Sequence, residues 1–533
     1  MSRPAKPLKR FGSPPRRNTW LKPGANENGP MSTLLLRADA GPQIGMGHVM
    51  RCLALAEPWL QAGSAVTLQT AGTDALRARA ESLGVSLREL SAPTGTPADA
   101  AETIALAQSL HAGWLVLDGY HFDAAFQRAV NTADLRLLVF DDTAHTAHYS
   151  ADFILNQNLG ATAALYPHRD PTTRLLLGPR FVQLRGEFTN RSRRREEADG
   201  ELSENPPPHL GGYPRVLVTL GGSDPDNITA QVLSVLRTIP NLTADIILGP
   251  ANPHAAALQS LLTPHPSLLT LHHAPPHLPA LMSRADLAIC AGGTTAWELS
   301  FLGVPMLVLV LAENQRSNAE RLAQTGAAVH TSLTSLADDL RSLLADAPRR
   351  AEMSRRTRAL VDGLVTFRVW LRMNEDSLHL RPATPDDCRR VWEWANEPAV
   401  RAVSFTPEPI PWEQHLAWFR RKLADANTRL WIAEQANSPL GQVRLDLDGP
   451  AATISVSLDA ARRGKNLGAL LIWSACQKLF RESAVETIHA FIKPDNATSI
   501  RAFEKAGFEP AGQTEVKGCA ALRLELKRSA AEP

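Results

Sequence analysis

A short apolar strand that ends in a glycine-rich turn and runs straight into a helix restricts this chain most. It appears first at Leu34–Leu36, continued through Arg37-Ala38-Asp39 and then Ile44-Gly45-Met46-Gly47-His48. A helical apolar pattern follows at once, at Val49, Leu53, Leu55, Ala56, Trp59 and Leu60. A continuously apolar strand is buried on both faces, which calls for a parallel sheet covered by helices. The Gly-x-Gly turn lets the backbone come close to a ligand, and the helix start offers unpaired N–H groups. Ligands of open α/β sheets bind at the carboxyl ends of the strands, so His48 stands on the edge where chemistry is expected. Taken alone, a histidine there is also explained as a cap or a packed ring.

The pattern recurs. Candidate strands at Leu34–Asp39, Ala65–Thr70, Trp114–Asp118, Leu135–Phe140 and Phe153–Leu155 make a first α/β unit over 32–190. Arg191–Gly212, a basic run followed by acids and Pro206-Pro207-Pro208, reads as a linker. A second unit over 213–365 has strands at Arg215–Leu220, Leu287–Cys290 and Pro305–Val310. After a linker at 366–376, a third unit of mixed α/β pattern occupies 377–533. Residues 1–31, with seven Lys/Arg and one acid before position 31, read as a disordered basic arm, and translation from Met31 is an alternative start. A chain of 533 residues is expected to hold two to four domains. A net charge of +2 provides no field for nucleic acid or an anionic membrane, and no apolar run reaches the ~18 residues of a membrane span. Five scattered cysteines give neither a disulfide framework nor zinc spacing, so a cytoplasmic protein with reduced thiols and no metal is expected.

The run from Arg37 through Gly45, Gly47 and His48 to Cys52 resembles the signature of the UDP-sugar hydrolases of pseudaminic acid biosynthesis. These release UDP from UDP-2,4-diacetamido-2,4,6-trideoxy-β-L-altropyranose, and the resemblance makes His48 the base that activates water. On the same sheet edge lie Asp39, Asp118 and Tyr120, and the pair Asp141-Asp142; a strand-end Asp is equally a turn former. Asn156 and Asn158, and Arg185 in Leu-Arg-Gly-Glu-Phe, match further motifs of that family, with Gly186 standing where Pro or an acid is expected. In the second unit, three polar turns follow strands: Gly221-Gly222-Ser223, Gly292-Gly293-Thr294-Thr295 leading to Glu298, and Asn314-Gln315 leading to Asn318. Gly-Gly turns at helix starts suit a diphosphate, and Glu298 could accept from ribose hydroxyls. Together they resemble the nucleotide-sugar half of the two-domain glycosyltransferase B (GT-B) fold. That resemblance implies UDP in the cleft between the units and Asn314 facing the sugar opposite His48.

In the third unit, Thr384 and Asp387 have capping-box spacing. Arg462-Arg463-Gly464-Lys465-Asn466-Leu467-Gly468-Ala469 opens a helix, and Lys493-Pro494-Asp495-Asn496 precedes Phe503. This segment resembles the GNAT N-acetyltransferases, which implies acetyl-CoA as co-substrate. The implied pyrophosphate site is Arg463, Gly464, Lys465, Asn466, Gly468 and Ala469, with Asn496 on the pantetheine side. Asn466 replaces the usual Gly, and Phe503 stands where many members have a Tyr that protonates the thiolate.

The expected fold is α/β: a GT-B-like doubly wound pair of units followed by a mixed α/β GNAT domain. The expected function is bifunctional. The third unit would N-acetylate UDP-4-amino-4,6-dideoxy-β-L-AltNAc and the first two would hydrolyse the product, which are consecutive steps. A glycosyltransferase, or a non-catalytic UDP-sugar-binding module serving the acetyltransferase, are the alternatives.

Overall fold

The computed structural model describes residues 32–41, 44–71, 74–189, 213–250, 252–262 and 268–528. The basic arm at 1–31 and the linker at 191–212 lie outside the described residues. The first sheet is β1 (Thr33–Ala38), β2 (Val66–Thr70), β3 (Ser86–Glu89), β4 (Ala112–Asp118), β5 (Leu137–Phe140), β6 (Phe153–Asn156) and β7 (Arg174–Leu177). All are parallel, in the order β3-β2-β1-β4-β5-β6-β7. The second is β8 (Arg215–Thr219), β9 (Thr243–Leu248), β10 (Leu269–His273), β11 (Leu287–Ala291), β12 (Met306–Leu309) and β13 (Ala328–Thr331). These too are parallel, in the order β10-β9-β8-β11-β12-β13. In both sheets the order reverses beside the first strand. That leaves a crevice between the loops after β1 and β4, and another between the loops after β8 and β11.

The third sheet holds β14 (His379–Pro382), β15 (Thr428–Gln435), β16 (Ser438–Asp448), β17 (Ala451–Leu458), β18 (Thr487–Ile492), β19 (Glu509–Val516) and β20 (Cys519–Lys527). It is antiparallel except where β17 meets β18, and those two pair over only three residues, Ala451–Thr453 with Thr487–His489, before parting. Two doubly wound parallel units followed by a mixed sheet is the architecture expected from the sequence.

Six helices matter for the sites: α1 (Gly47–Gln61), α2 (Thr294–Leu302), α3 (Glu313–Gln324), α4 (Val365–Met373), α5 (Leu467–Glu482) and α6 (Ala497–Lys505). The stretch 366–376, read from sequence as a linker, is corrected by α4. Its Val365, Phe367, Val369, Trp370, Leu371 and Met373 are buried, so this segment is core. Thr366 exchanges hydrogen bonds with the backbone of Leu184 (2.9 and 3.1 Å), and Trp114 Nε1 donates to the Met373 carbonyl (2.9 Å). One apolar cluster runs without interruption from β1 and α1 through α4 into β16, β17 and α5. The third unit therefore shares its core with the first, while the second unit keeps one core of its own and shares another with Val182, Leu184 and Phe188 of the first unit and Val365 of α4. Asp387 does cap its helix with Thr384, donor and acceptor 2.8 Å apart, and also binds Arg381.

Candidate active site

His48 begins the second position of α1, and Arg51 follows one turn later on the same face. Both reach Asp118, the last residue of β4. His48 Nδ1 donates to Asp118 Oδ1 (2.6 Å), while Arg51 donates to both carboxylate oxygens (2.6 and 2.7 Å) and through its other nitrogen to Asp142 (2.9 and 3.0 Å). Asp118 is fully buried. Burial opposes its charge, but Arg51 and His48 outweigh that and hold the carboxyl well below its usual range. An ionised Asp118 accepts only, so the imidazole proton sits on Nδ1 and Nε2 is the nitrogen able to take another. Cys52 also points at Asp118, and burial drives its thiol pKa upward, so it is a packed neutral group.

A cavity of about 370 Å³ opens beside this pair, lined by Asp39, Ile44, His48, Asp118, Gly119, Tyr120 and His121. Tyr120 stands edge-on to the His48 ring, centroids 5.3 Å apart, and donates to Asp142 (3.1 Å). From the second unit, Asn314 at the start of α3 donates to the Tyr120 hydroxyl (2.8 Å). The two units meet at other points on this edge. A Cβ at Gly222 would lie 3.1 Å from Met46 Cγ, next to the Gly45–Gly47 turn. Arg185 Nε donates to Glu298 (2.7 Å), and Asn318 ties α3 to the Gly292 carbonyl (2.9 Å). Gly292 is closely packed, since a Cβ there would sit 3.0 Å from the Gln315 carbonyl. Gly45 (φ +77°) and Gly221 (φ +99°) take left-handed backbone. Gly293 precedes α2, where Thr294 and Thr295 are half-buried at its open N-terminus, and Ser223 is buried in the loop after β8.

Not every expected contact residue is free to act. Asn156, expected at the substrate, is turned inward and 1% exposed; it donates to Tyr166 (2.8 Å) and accepts from the Asn158 backbone (3.0 Å), shaping the loop. Asn158 itself reaches Asp142 (3.3 Å). Gln315 accepts from the Leu311 N–H (3.2 Å), and Glu298 is held by Arg185. Gly186, the departure noted in sequence, gives its N–H to Glu57 (2.8 Å) and leaves no room for a Cβ against that carboxylate. Arg51, His121 and Asp99 were not singled out from sequence, although Arg51 is spaced i, i+3 from His48.

In the third unit, Gly464 (φ +78°) and Asn466 (φ +59°) turn the backbone into the start of α5. Asn466 thus supports the left-handed geometry expected of glycine there. Its side chain bridges units, accepting from Lys505 (2.8 Å) and donating to the Pro58 carbonyl of α1 (3.4 Å). Arg463 is spent on Glu397 (2.7 Å) and the Leu458 carbonyl (2.9 Å), so its side chain builds the loop. Ala469 is buried, Lys465 half-buried, and Asn496 caps α6 by accepting from Ser499 N–H (3.2 Å). Beyond the end of the short β17–β18 pairing, the edge of β17 that faces β18 is open to an extended ligand with amide groups. Phe503 is core, packed edge-on against Phe508 at 5.0 Å.

Comparisons with known proteins agree with this division. Residues 216–364 match the glycosyltransferase family 28 C-terminal domain, and residues 377–509 match the acetyltransferase (GNAT) domain. The chain thus carries a glycosyltransferase-28-type nucleotide-sugar domain and a GNAT acetyltransferase domain. It is 23% identical over 494 residues to an uncharacterized protein of Methanocaldococcus jannaschii, covering 88% of this chain and 95% of that one. Over 296 residues it is 23% identical to the UDP-2,4-diacetamido-2,4,6-trideoxy-β-L-altropyranose hydrolase of Campylobacter jejuni, covering 55% of this chain and 97% of that enzyme. Over 163 residues it is 32% identical to the spore coat polysaccharide biosynthesis protein SpsG of Bacillus subtilis, covering 29% of this chain and 48% of that protein. Among the described residues there is no group of His, Cys, Asp and Glu able to hold a metal ion, and no helix is long and apolar enough to cross a membrane.

Proposed function

We propose that this chain acetylates the amino group of a UDP-linked amino sugar and then hydrolyses the acetylated UDP-sugar, in the manner of the pseudaminic acid pathway. The observation that carries the hydrolytic half is His48, oriented by Asp118 and Arg51 on the wall of a sugar-sized cavity whose lining Tyr120 is bonded by Asn314 of the second unit. Nε2 of His48 takes a proton from water as the water attacks the anomeric carbon. The C–O bond to the diphosphate breaks with its electron pair going to UDP. Attack opposite UDP inverts the anomeric centre. The N-terminus of α2 and the glycine turns at 221–222 and 292–293 meet the diphosphate charge with aligned N–H dipoles, and no metal is needed for so good a leaving group. Similarity over 55% of the chain to the Campylobacter hydrolase supports the substrate class.

In the third unit, the open edge of β17 and the N-terminus of α5 receive acetyl-CoA, and the neutral sugar amine attacks the thioester carbonyl. Acetyl transfer then precedes UDP release. Only Ala502 Cβ, at 3.9 Å, lies near a Cβ placed on Gly468, so a large side chain there fills ligand space rather than core. Gly468→Trp is expected to raise KM for acetyl-CoA at least about tenfold, ~1.4 kcal/mol, with UDP release from pre-acetylated substrate retained. An unchanged KM would remove the loop assignment.

The whole reading is tested by incubating the protein with UDP-4-amino-4,6-dideoxy-β-L-AltNAc, with and without acetyl-CoA, and separating free UDP by chromatography. UDP that appears only with acetyl-CoA is the expected result. The family 28 match favours one second reading, transfer of the sugar to an acceptor other than water. Acetylated UDP-sugar accumulating without UDP would select that reading.

A further inference from the structure

The cavity beside His48 has a second imidazole on its wall, and the groups behind it repeat those behind the first. Arg37 is fully buried and donates to both oxygens of Asp99 (3.1 and 2.8 Å) while its remaining nitrogen meets Asp39 (2.7 Å). Asp39 in turn faces His121 Nε2 at 3.3 Å. Arg51 does the same with Asp118 and Asp142, and His48 stands on Asp118. Each cluster is one guanidinium, two carboxylates and one imidazole. Each therefore holds one surplus negative charge when its imidazole is neutral, and none when it is protonated.

The sequence around His121 is shaped to seat it. A Cβ on Gly119 would lie 2.6 Å from the ring's Cε1, and one on Gly95 would lie 3.0 Å from its Cβ, so the two glycines make the slot. The ring packs on Phe122 at 4.1 Å. With Nε2 directed at Asp39, Nδ1 is the nitrogen left for a ligand. The charged and titratable groups around it are Asp39 and, behind it, Arg37 and Asp99; Asp118, Tyr120 and His48 share the cavity, and His145 lies on the far side of Tyr120 and Phe122.

We propose that His121, positioned by Asp39, is a second catalytic residue: the proton donor to the departing group, opposite His48 as the acceptor. The proposal rests on the hydrolytic reading above. In the step, His48 Nε2 takes a proton from the attacking water and a C–O bond forms at the anomeric carbon. The bond to the leaving phosphate oxygen breaks with its electron pair, and that oxygen receives the proton from His121 Nδ1. His121 ends neutral with its Nε2–H still on Asp39, and solvent resets both rings. The chemistry this pair fits is a glycosyl phosphate or diphosphate whose bridging oxygen gains charge as the bond breaks.

The test is the pH profile of kcat for UDP release from the diacetamido UDP-sugar by the full chain. The wild type should lose rate on the alkaline side as His121 deprotonates. His121→Gln should lower kcat by about 10²-fold with little change in KM, and its alkaline limb should vanish. Asp39→Asn, which leaves His121 in place, should move that limb to lower pH, because the imidazolium loses its carboxylate. Acetyl transfer by the same variants reports that the shared core is intact. If His121→Gln fails to fold, the Asp39→Asn limb decides, and an unmoved limb overturns the proposal. A rise in KM with kcat and the limb unchanged also overturns it, reducing His121 to a binding group. An active wild type with a silent His48→Asn and an unaltered His121→Gln profile sinks this inference alone; a wild type that releases no UDP sinks the hydrolytic reading with it.

Discussion

His48→Asn is expected to reduce UDP release by about 10²–10⁴-fold, the usual contribution of a positioned base, while acetyl transfer by the same molecules continues at the wild-type rate. Asparagine keeps a group able to donate to Asp118 but offers no nitrogen that can take a proton. The Asp118–Arg51–Asp142 network stays paired in this variant, because Arg51 alone contacts both oxygens of Asp118. The loss should therefore fall on kcat, with binding of the UDP-sugar retained, as calorimetry with the intact substrate would show. Equal loss of both activities in a folded protein would mean that the two reactions do not have separate sites.

The second large effect lies far from either reacting centre. Trp370 is fully buried in α4, stacked on Phe367 with centroids 5.0 Å apart. Around it, Lys505 lies over the Phe367 ring at 4.7 Å and Arg372 over Trp473 at 5.3 Å, so α4 is gripped from the third unit as well as the first. Trp370→Ala should cost about 3–5 kcal/mol through lost burial and the cavity left behind. For a cooperative unit of this size that is roughly 5–10 °C in Tm. Both activities should fail together on heating, in parallel with the loss of near-ultraviolet circular dichroism. Hydrolysis failing while acetyl transfer survives to the wild-type temperature would show that the first and third units melt separately.

Much of this was legible in the sequence, and the exceptions have physical causes. The central strands β1, β4, β8, β11 and β12 are unbroken apolar runs, and their turns carry the glycines, so sheets and ligand edge could be read directly. The edge strands β3 and β19 carry no such signal, because pairing defines them: β3 is Ser-Leu-Arg-Glu and mostly exposed, and β19 runs Glu-Pro-Ala-Gly-Gln-Thr-Glu-Val with no buried residue. The helix α4 reads as a linker in the sequence because nine residues between two domain-scale patterns look like punctuation. Its apolar side chains have meaning only against partners distant in sequence, in α1 on one side and α5 on the other, and its end is tied to Trp114 through the Met373 carbonyl. At the site, His48, Asp118, Tyr120 and Asn314 follow from turns at strand ends. Arg51 hid as an ordinary helical cation, and only the i, i+3 spacing gives it away. The His121–Asp39–Arg37–Asp99 chain joins three separate segments, and no local pattern announces it.

The apolar continuity from α1 through α4 into α5 also determines where this chain can be divided. A cut at the junction near residue 376 looks natural on a map of motifs. It would, however, strip the cover from Trp370, Trp473 and their neighbours, and leave Asn466 without Pro58. Each piece would then present a bare hydrophobic face, the kind of surface that drives self-association. Anyone expressing the acetyltransferase by itself should design a new surface for α5 and the strands beneath it. The economical route is to keep the chain whole and silence one site at a time.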